Sequence, residues 1–270
     1  MPASTPPRFN VLGVQVHAVD YATAISAILR AAHTQTPFAS TALAVHGVMT
    51  GYHDPQQRAR INALDLVTPD GQPVRWALAF LHGIRLADRV YGPFLMSQLC
   101  QHAAAQDIPV FLYGSGPQTL ASLHRALQMR FPALRLVGAR PSRFRIASDS
   151  EWQADVAALR DSGARLVFCG LGCPRQEAWV HAMRSEVNAA LVAVGAAFPL
   201  WAGERRMAPA WMQRTGLEWF FRLATEPRRL AKRYLVYNPL FIDALVRQKL
   251  RRPTRCAPGV EPSAPPLRWS

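Results

Sequence analysis

Three short stretches hold residue types that can move a proton or grip an anion. The first is Leu64-Asp-Leu-Val-Thr-Pro-Asp-Gly-Gln-Pro-Val-Arg-Trp76. A short apolar run, Leu64 to Val67, breaks at Pro69-Asp70-Gly71 before a helix-compatible run, Val74 to Leu81. This pattern predicts a strand that delivers Asp70 onto a tight turn at the mouth of a sheet, where α/β folds bind their ligands. A carboxylate there can take a proton as a general base. Pro-Asp-Gly is also ordinary turn chemistry, and the turn alone does not separate the two readings.

The second stretch is Gly170-Leu-Gly-Cys-Pro-Arg-Gln-Glu177. Gly170 and Gly172 permit close backbone approach at a strand end, and Pro174 favours a helix start. Arg175 and Gln176 then project from the first turn towards a ligand's phosphate or hydroxyls. Glu177 either joins them or complements the helix dipole. The third stretch, Gly114-Ser-Gly116-Pro-Gln-Thr119, resembles the start of a dinucleotide loop. No acid follows at the next strand end, which speaks against a plain NAD site. Gly114 and Gly116 still offer backbone N–H groups and a helix N-terminus to a phosphate.

Other chemistries find little support. The eight histidines form no close-spaced ligand set. No Asp-x-Asp stands at a strand end, and Asp149-Ser-Glu151 reads as a helix cap with its first-turn acid. The expectation is therefore no metal site and no cofactor, with arginines holding any diphosphate. His46, at a strand end, reads more simply as a core or edge histidine. Cys169 and Cys173 fit neither a redox pair nor a zinc knuckle, and with Cys100 and Cys256 they read as reduced.

The elements that position these stretches follow from periodicity. Val11 to Val16 reads as a strand, Tyr21 to Ala32 as a helix, Thr41 to His46 as a strand and Gly47 to Leu64 as one helix. Further strands are expected near 109–113, 134–139, 165–169 and 190–194, with helices between them. Alternation of this kind implies an α/β fold, a mostly parallel Rossmann-like sheet with helices on both faces. At 270 residues, 50% hydrophobic and 18% charged, the chain can bury a large core. The expected organisation is a flexible lead at 1–8, an α/β core at 9–204, a basic and aromatic helical appendage at 205–252 and a disordered tail at 253–270.

The formal net charge of +14 comes from arginine, because Lys232 and Lys249 are the only lysines. Arginine suits bidentate contacts to phosphate, so the partner is expected to be anionic. Between 205 and 252, Trp211, Trp219, Phe220, Phe221, Tyr234 and Tyr237 alternate with Arg206, Arg214, Arg222, Arg228, Arg229 and Arg233. Pro227 and Pro239 divide the segment into short helices. It reads as a membrane-surface element, a solvated helical cap or a nucleic-acid surface. Trp-Phe-Phe is too apolar for a nucleic-acid groove, so no nucleic-acid partner is expected. No signal peptide or spanning run of apolar residues appears, which places the protein in the cytoplasm or on the inner face of the cytoplasmic membrane.

Taken together, these residues resemble the WecG/TagA/CpsF family of bacterial glycosyltransferases, glycosyltransferase family 26. The resemblance runs from about Phe9 to Asn238. It rests on Thr68-Pro-Asp-Gly71, Arg89-Val-Tyr-Gly92, Gly170 to Glu177, Gly195-Ala-Ala-Phe198 with Ala202-Gly203, and Ala208 to Met212 through Gly216-Leu-Glu-Trp219 to Glu226-Pro-Arg-Arg229. It implies inverting, metal-independent transfer from a UDP-sugar to a polyprenyl-diphosphate-linked sugar. Such reactions build exopolysaccharide repeat units, enterobacterial common antigen or teichoic acid linkage units. Asp70 would be the general base, with Thr41, Arg89 and Gln176 as supporting polar residues. Arg222, Arg228, Arg229 and Arg233 of the appendage become candidates for a diphosphate.

Two positions depart from the family pattern. Ala44 stands where Asn is usual, and Pro199-Leu200-Trp201 follows Phe198 where an acid is usual. The second departure supports an alternative, a catalytically degenerate nucleotide-sugar-binding or scaffold protein. Family relatives can self-associate, so a homo-oligomer is a further expectation.

Overall fold

The computed structural model describes residues 6–250 and 266–270. Leu12 and Gly13 both take positive φ. The expected strand at 11–16 therefore folds back as a hairpin, β1 (Arg8–Val11) against β2 (Val14–His17). Six further strands follow: β3 (Phe38–Leu43), β4 (Leu66–Pro69), β5 (Val110–Tyr113), β6 (Leu136–Arg140), β7 (Leu166–Cys169) and β8 (Ala190–Ala193). They form one parallel sheet in the order β4-β3-β8-β7-β5-β6.

Parallel strands covered on both sides must be apolar on both faces. Here Val67, Val167, Cys169, Leu191 and Ala193 join one core cluster, while Leu66, Leu166, Phe168, Ala190 and Val192 join the other. The second cluster is covered by α1 (Tyr21–Thr34), α5 (Gly92–Ala105), α6 (Pro117–Arg130) and α9 (Ala197–Trp201). The first is covered by the hairpin and by α2 (Val45–His53), α3 (Pro55–Asn62), α4 (Gln72–His82), α7 (Asp149–Asp161) and α8 (Arg175–Met183). The fold is the α/β arrangement that the alternation implies.

Helix boundaries follow local chemistry. Asp20 caps α1 by accepting from the Thr23 N–H at 2.8 Å, and Ser148 and Glu151 form a capping box on α7. The single helix expected over 47–64 is two. Asp54 accepts from the N–H groups of Gln56 and Gln57 and starts α3, with Pro55 at its first position.

The C-terminal segment forms α10 (Ala210–Thr215), α11 (Glu218–Thr225), α12 (Pro227–Lys232), a π-helical turn (Arg233–Tyr237) and α13 (Asn238–Leu250). Pro227 opens α12, but Pro239 sits in the first turn of α13 and breaks nothing. Phe241, Ala244 and Leu245 of α13 pack into the first core cluster. Gln248 also bonds the hairpin at β1 and its turn, accepting from Leu12 N and donating to Asn10 O. The last helix is thus anchored on the core, while α10 to α12 lean over the carboxyl ends of the strands.

Two terminal expectations need correction. Arg8 of the expected lead opens β1, and residues 1–5 lie outside the described residues. Of the expected disordered tail, residues 253–265 also lie outside them. Residues 266–270 are ordered against the loop before α7. Trp269 bridges Ile146, Ala147 N donates to Arg268 O, and Ser270 N donates to Arg145 O. Non-local backbone pairing holds this end, and a Pro-rich composition does not reveal it.

Candidate active site

At the carboxyl ends of β3, β4, β5, β7 and β8 lies a cavity of about 830 Å³. Asp70 stands at its floor. The end of β4 places it there: Asp70 N donates to Leu43 O at 3.0 Å, and Gly71, at φ +90°, turns the chain into α4. A side chain at Gly71 would strain that turn. The Gly92 N–H points at Asp70 Oδ2 at 3.4 Å. Burial pushes the Asp70 carboxyl up to about 6, with Glu218 adding to the rise and Arg89 and Arg222 opposing it. A carboxyl in that range accepts a proton more readily than an ordinary aspartate with a pKa of about 3.9.

A four-residue cluster faces Asp70. Arg89 and Tyr91 come from the segment between α4 and α5, and Glu218 and Arg222 are one turn apart on α11. Arg89 Nη2 donates to Glu218 Oε2. Arg222 Nε pairs with Glu218 Oε1 at 3.2 Å, and its Nη2 donates to the Tyr91 hydroxyl at 3.4 Å. The Tyr91 ring lies 4.5 Å from the Arg89 guanidinium and 5.9 Å from that of Arg222. Burial works against the charge on Arg222, but Tyr91, Glu218, Tyr234 and Asp70 outweigh it and hold the guanidinium protonated. The appendage therefore brings one arginine and one acid to a carboxyl carried by the core.

Beneath the cavity is a second polar cluster. Glu177 is fully buried and accepts from Thr41 Oγ1 at 2.9 Å and from Gln176 Nε2 at 2.8 Å. Burial raises its pKa, against the pull of the Gln176 and Thr41 hydrogen bonds. Glu177 is the acid of the first turn of α8, as the dipole reading has it, and its side chain also anchors Gln176. Gln176 lines the cavity, and its Oε1 has no hydrogen-bond partner among the described residues. Thr41 does not line the cavity and touches this cluster through its hydrogen bond to Glu177. Glu177→Gln should fold with wild-type stability to within about 1 kcal/mol, because an amide carbonyl can still accept. Glu177→Ala leaves a hydroxyl and an amide unpaired and should cost about 3 kcal/mol, a loss that thermal melts would read.

The remaining expected ligand residues divide. Gly71, Gly170, Gly172, Arg175, Glu177 and Arg222 line the cavity. Gly114 and Gly116 do not; Ser115 between them does. Gly114 lets two loops touch, since a Cβ there would lie 2.9 Å from Leu171 N. Gly116 caps α6 in open space. Arg175 spans two rings, 5.5 Å from Phe144 and 5.7 Å from Trp269 of the docked C-terminus. Arg228 is exposed and away from the cavity, and the side chains of Arg229 and Arg233 lie outside the described residues. Pro199, at the departure from the family pattern, lines the cavity.

Sequence reasoning passed over Glu218 and Tyr91. Both stand inside motifs singled out above, and Glu218 is one of three acids between 205 and 252. An acid with an arginine four residues on, in a strongly basic segment, was the available signal. Among the described residues no three His, Cys, Asp or Glu side chains are grouped to hold a metal ion.

The comparison with protein families agrees with this geometry. Residues 9–255 match the model of the Glycosyl transferase WecG/TagA/CpsF family, nearly the whole chain. This protein belongs to the WecG/TagA/CpsF family of glycosyl transferases, which act on cell-surface polysaccharides.

Proposed function

We propose that the protein is an inverting, metal-independent transferase that moves a sugar from a UDP-sugar, of the N-acetylmannosamine type or glucose, to a polyprenyl-diphosphate-linked sugar. The observation that carries this reading is the placement of Asp70, a carboxyl with a raised proton affinity, beside Arg89 and Arg222 in one cavity. Inversion needs one base on the attacking face and cations for the charge that builds on the leaving diphosphate. Asp70 takes the proton from the acceptor hydroxyl as its oxygen attacks the anomeric carbon. The bond from that carbon to the UDP oxygen breaks, and Arg89 and Arg222 stabilise the departing anion. Gln176, held by Glu177, is available to a sugar hydroxyl or amide.

The acceptor's lipid accounts for the appendage. Trp211, Phe220, Leu235 and Ile242 are exposed there, and Trp76 and Phe80 of α4 are exposed at the cavity wall. Such an apolar and basic surface suits an anionic bilayer, on which the protein would sit from the cytoplasmic side. No helix among the described residues is long and apolar enough to cross a membrane. Trp211 and Phe220 do not line the cavity, so their replacement by serine should spare the site. Flotation with anionic vesicles should show each change weakening binding by about tenfold or more, as expected for an aromatic withdrawn from the interface.

The test of function is UDP release from a panel of UDP-sugars, with and without a short-chain polyprenyl-diphosphate-sugar acceptor and with and without EDTA. Acceptor-dependent release that survives EDTA supports the reading and names the donor. UDP binding with no turnover on any donor would favour the degenerate binding protein suggested by Pro199.

A further inference from the structure

We propose that Glu218 is a positioning residue. Its carboxylate takes the place of a ligand's diphosphate between Arg89 and Arg222, holding them in register until an anion displaces it.

The geometry is that of an internal counter-anion. Glu218 is 5% exposed, and its two oxygens are divided between two guanidinium groups that meet only in the folded protein. Two arginines facing one cavity beside the same tyrosine ring would repel each other and lose hydration without an anion between them. Glu218 supplies that anion from within the chain. With Asp70 ionised, the four groups Asp70, Arg89, Glu218 and Arg222 sum to zero charge. A diphosphate brings two or more negative charges and needs guanidinium N–H groups that Glu218 already holds. It gains them if the carboxylate withdraws, and α11, which carries both Glu218 and Arg222, then reads the occupancy of the site.

The charge on Glu218 also bears on Asp70. The ionisable groups acting on Asp70 are Arg89 from the segment before α5 and Glu218 and Arg222 from α11. Tyr21 of α1 and Tyr91 also sense its charge. Removing the Glu218 charge leaves Asp70 with two cations and no neighbouring anion, which favours its carboxylate form. This pH consequence rests on the base role proposed for Asp70, whereas the binding consequence does not.

The test uses the full chain with Glu218→Gln, which keeps the size and loses the charge. Calorimetry with inorganic pyrophosphate reads the competition directly, and thermal melts confirm the fold. Binding should tighten by about fivefold, the effect of one removed like charge at this range. The acid limb of acceptor-dependent UDP release should move down by about half a pH unit or more. A merely structural Glu218 would move neither. Unchanged or weaker pyrophosphate binding in the folded variant overturns the proposal. If the glutamine variant does not fold, Glu218→Asp keeps the charge but withdraws it by one methylene. It should tighten pyrophosphate about twofold with the acid limb unmoved, and unchanged binding again overturns the idea. Absence of UDP release in the wild type would count against the transferase reading alone, since the pyrophosphate measurement is independent of turnover.

Discussion

Asp70→Asn should lower acceptor-dependent UDP release by about 10²–10⁴-fold, the usual contribution of a positioned general base. UDP should bind at least as tightly as in the wild type, because Arg89 and Arg222 remain and one negative charge beside them is gone. The same change should raise stability at pH 8. Burial raises the Asp70 pKa to about 6 from an ordinary 3.8, so the native state binds a proton more readily than the unfolded chain. Stability therefore falls as pH rises through this window, and above it the native protein carries the full cost of ionising a half-buried carboxyl. Asparagine removes that cost. The variant's melting temperature should exceed the wild type's at pH 8, and the gap should close towards pH 4. A variant that loses activity and stability together at pH 8 would mean that Asp70 is a structural ion-pair partner.

Arg89→Ala is expected to have the second large effect, on stability as well as activity. Arg89 is buried and donates to Glu218. Its removal leaves Glu218 with Arg222 alone and sets two carboxyl groups, Glu218 and Asp70, near each other without their shared cation. Breaking a buried pair in this way costs about 3–5 kcal/mol. The loss should concentrate in the seating of α11. Hydrogen exchange should therefore show amides of Glu218–Thr225 losing protection while those of β7 and β8 keep theirs. Uniform loss of protection would show that α11 and the sheet unfold as one unit. Arg89→Lys restores the charge but not the fork, and should recover stability before it recovers turnover.

The sheet was legible in the chain because parallel strands buried on both faces appear as short, unbroken apolar runs. Leu166-Val-Phe-Cys169 and Ala190-Leu-Val-Ala193 are of that kind. Asp70 was legible because a strand end, a proline and a glycine surround it. What escaped depends on contacts between distant residues. Glu218 and Arg89 are 129 positions apart, and nothing near either residue announces the other. Glu177 is the first-turn acid that the local pattern suggests, but its hydrogen bonds to Gln176 and Thr41 are not legible from that pattern. The glycines at 114 and 116 carry a phosphate-loop signal, and the structure places them at a close approach of two loops and at a helix cap. The docked Trp269, stacked on Arg175, follows a Pro-rich stretch in which local propensity is silent. Asp54-Pro55, by contrast, is a helix-start signature legible in the chain itself, inside the segment expected as a single helix.

The most direct measurement is the pH dependence of acceptor-dependent UDP release by the wild-type protein between pH 4.5 and 8.5. A proton-accepting Asp70 predicts a rate that rises through about pH 6 and then levels, with the rising limb abolished in Asp70→Asn. Turnover that is flat across this range, or a rising limb that persists in the variant, would contradict the assignment of Asp70 as the base.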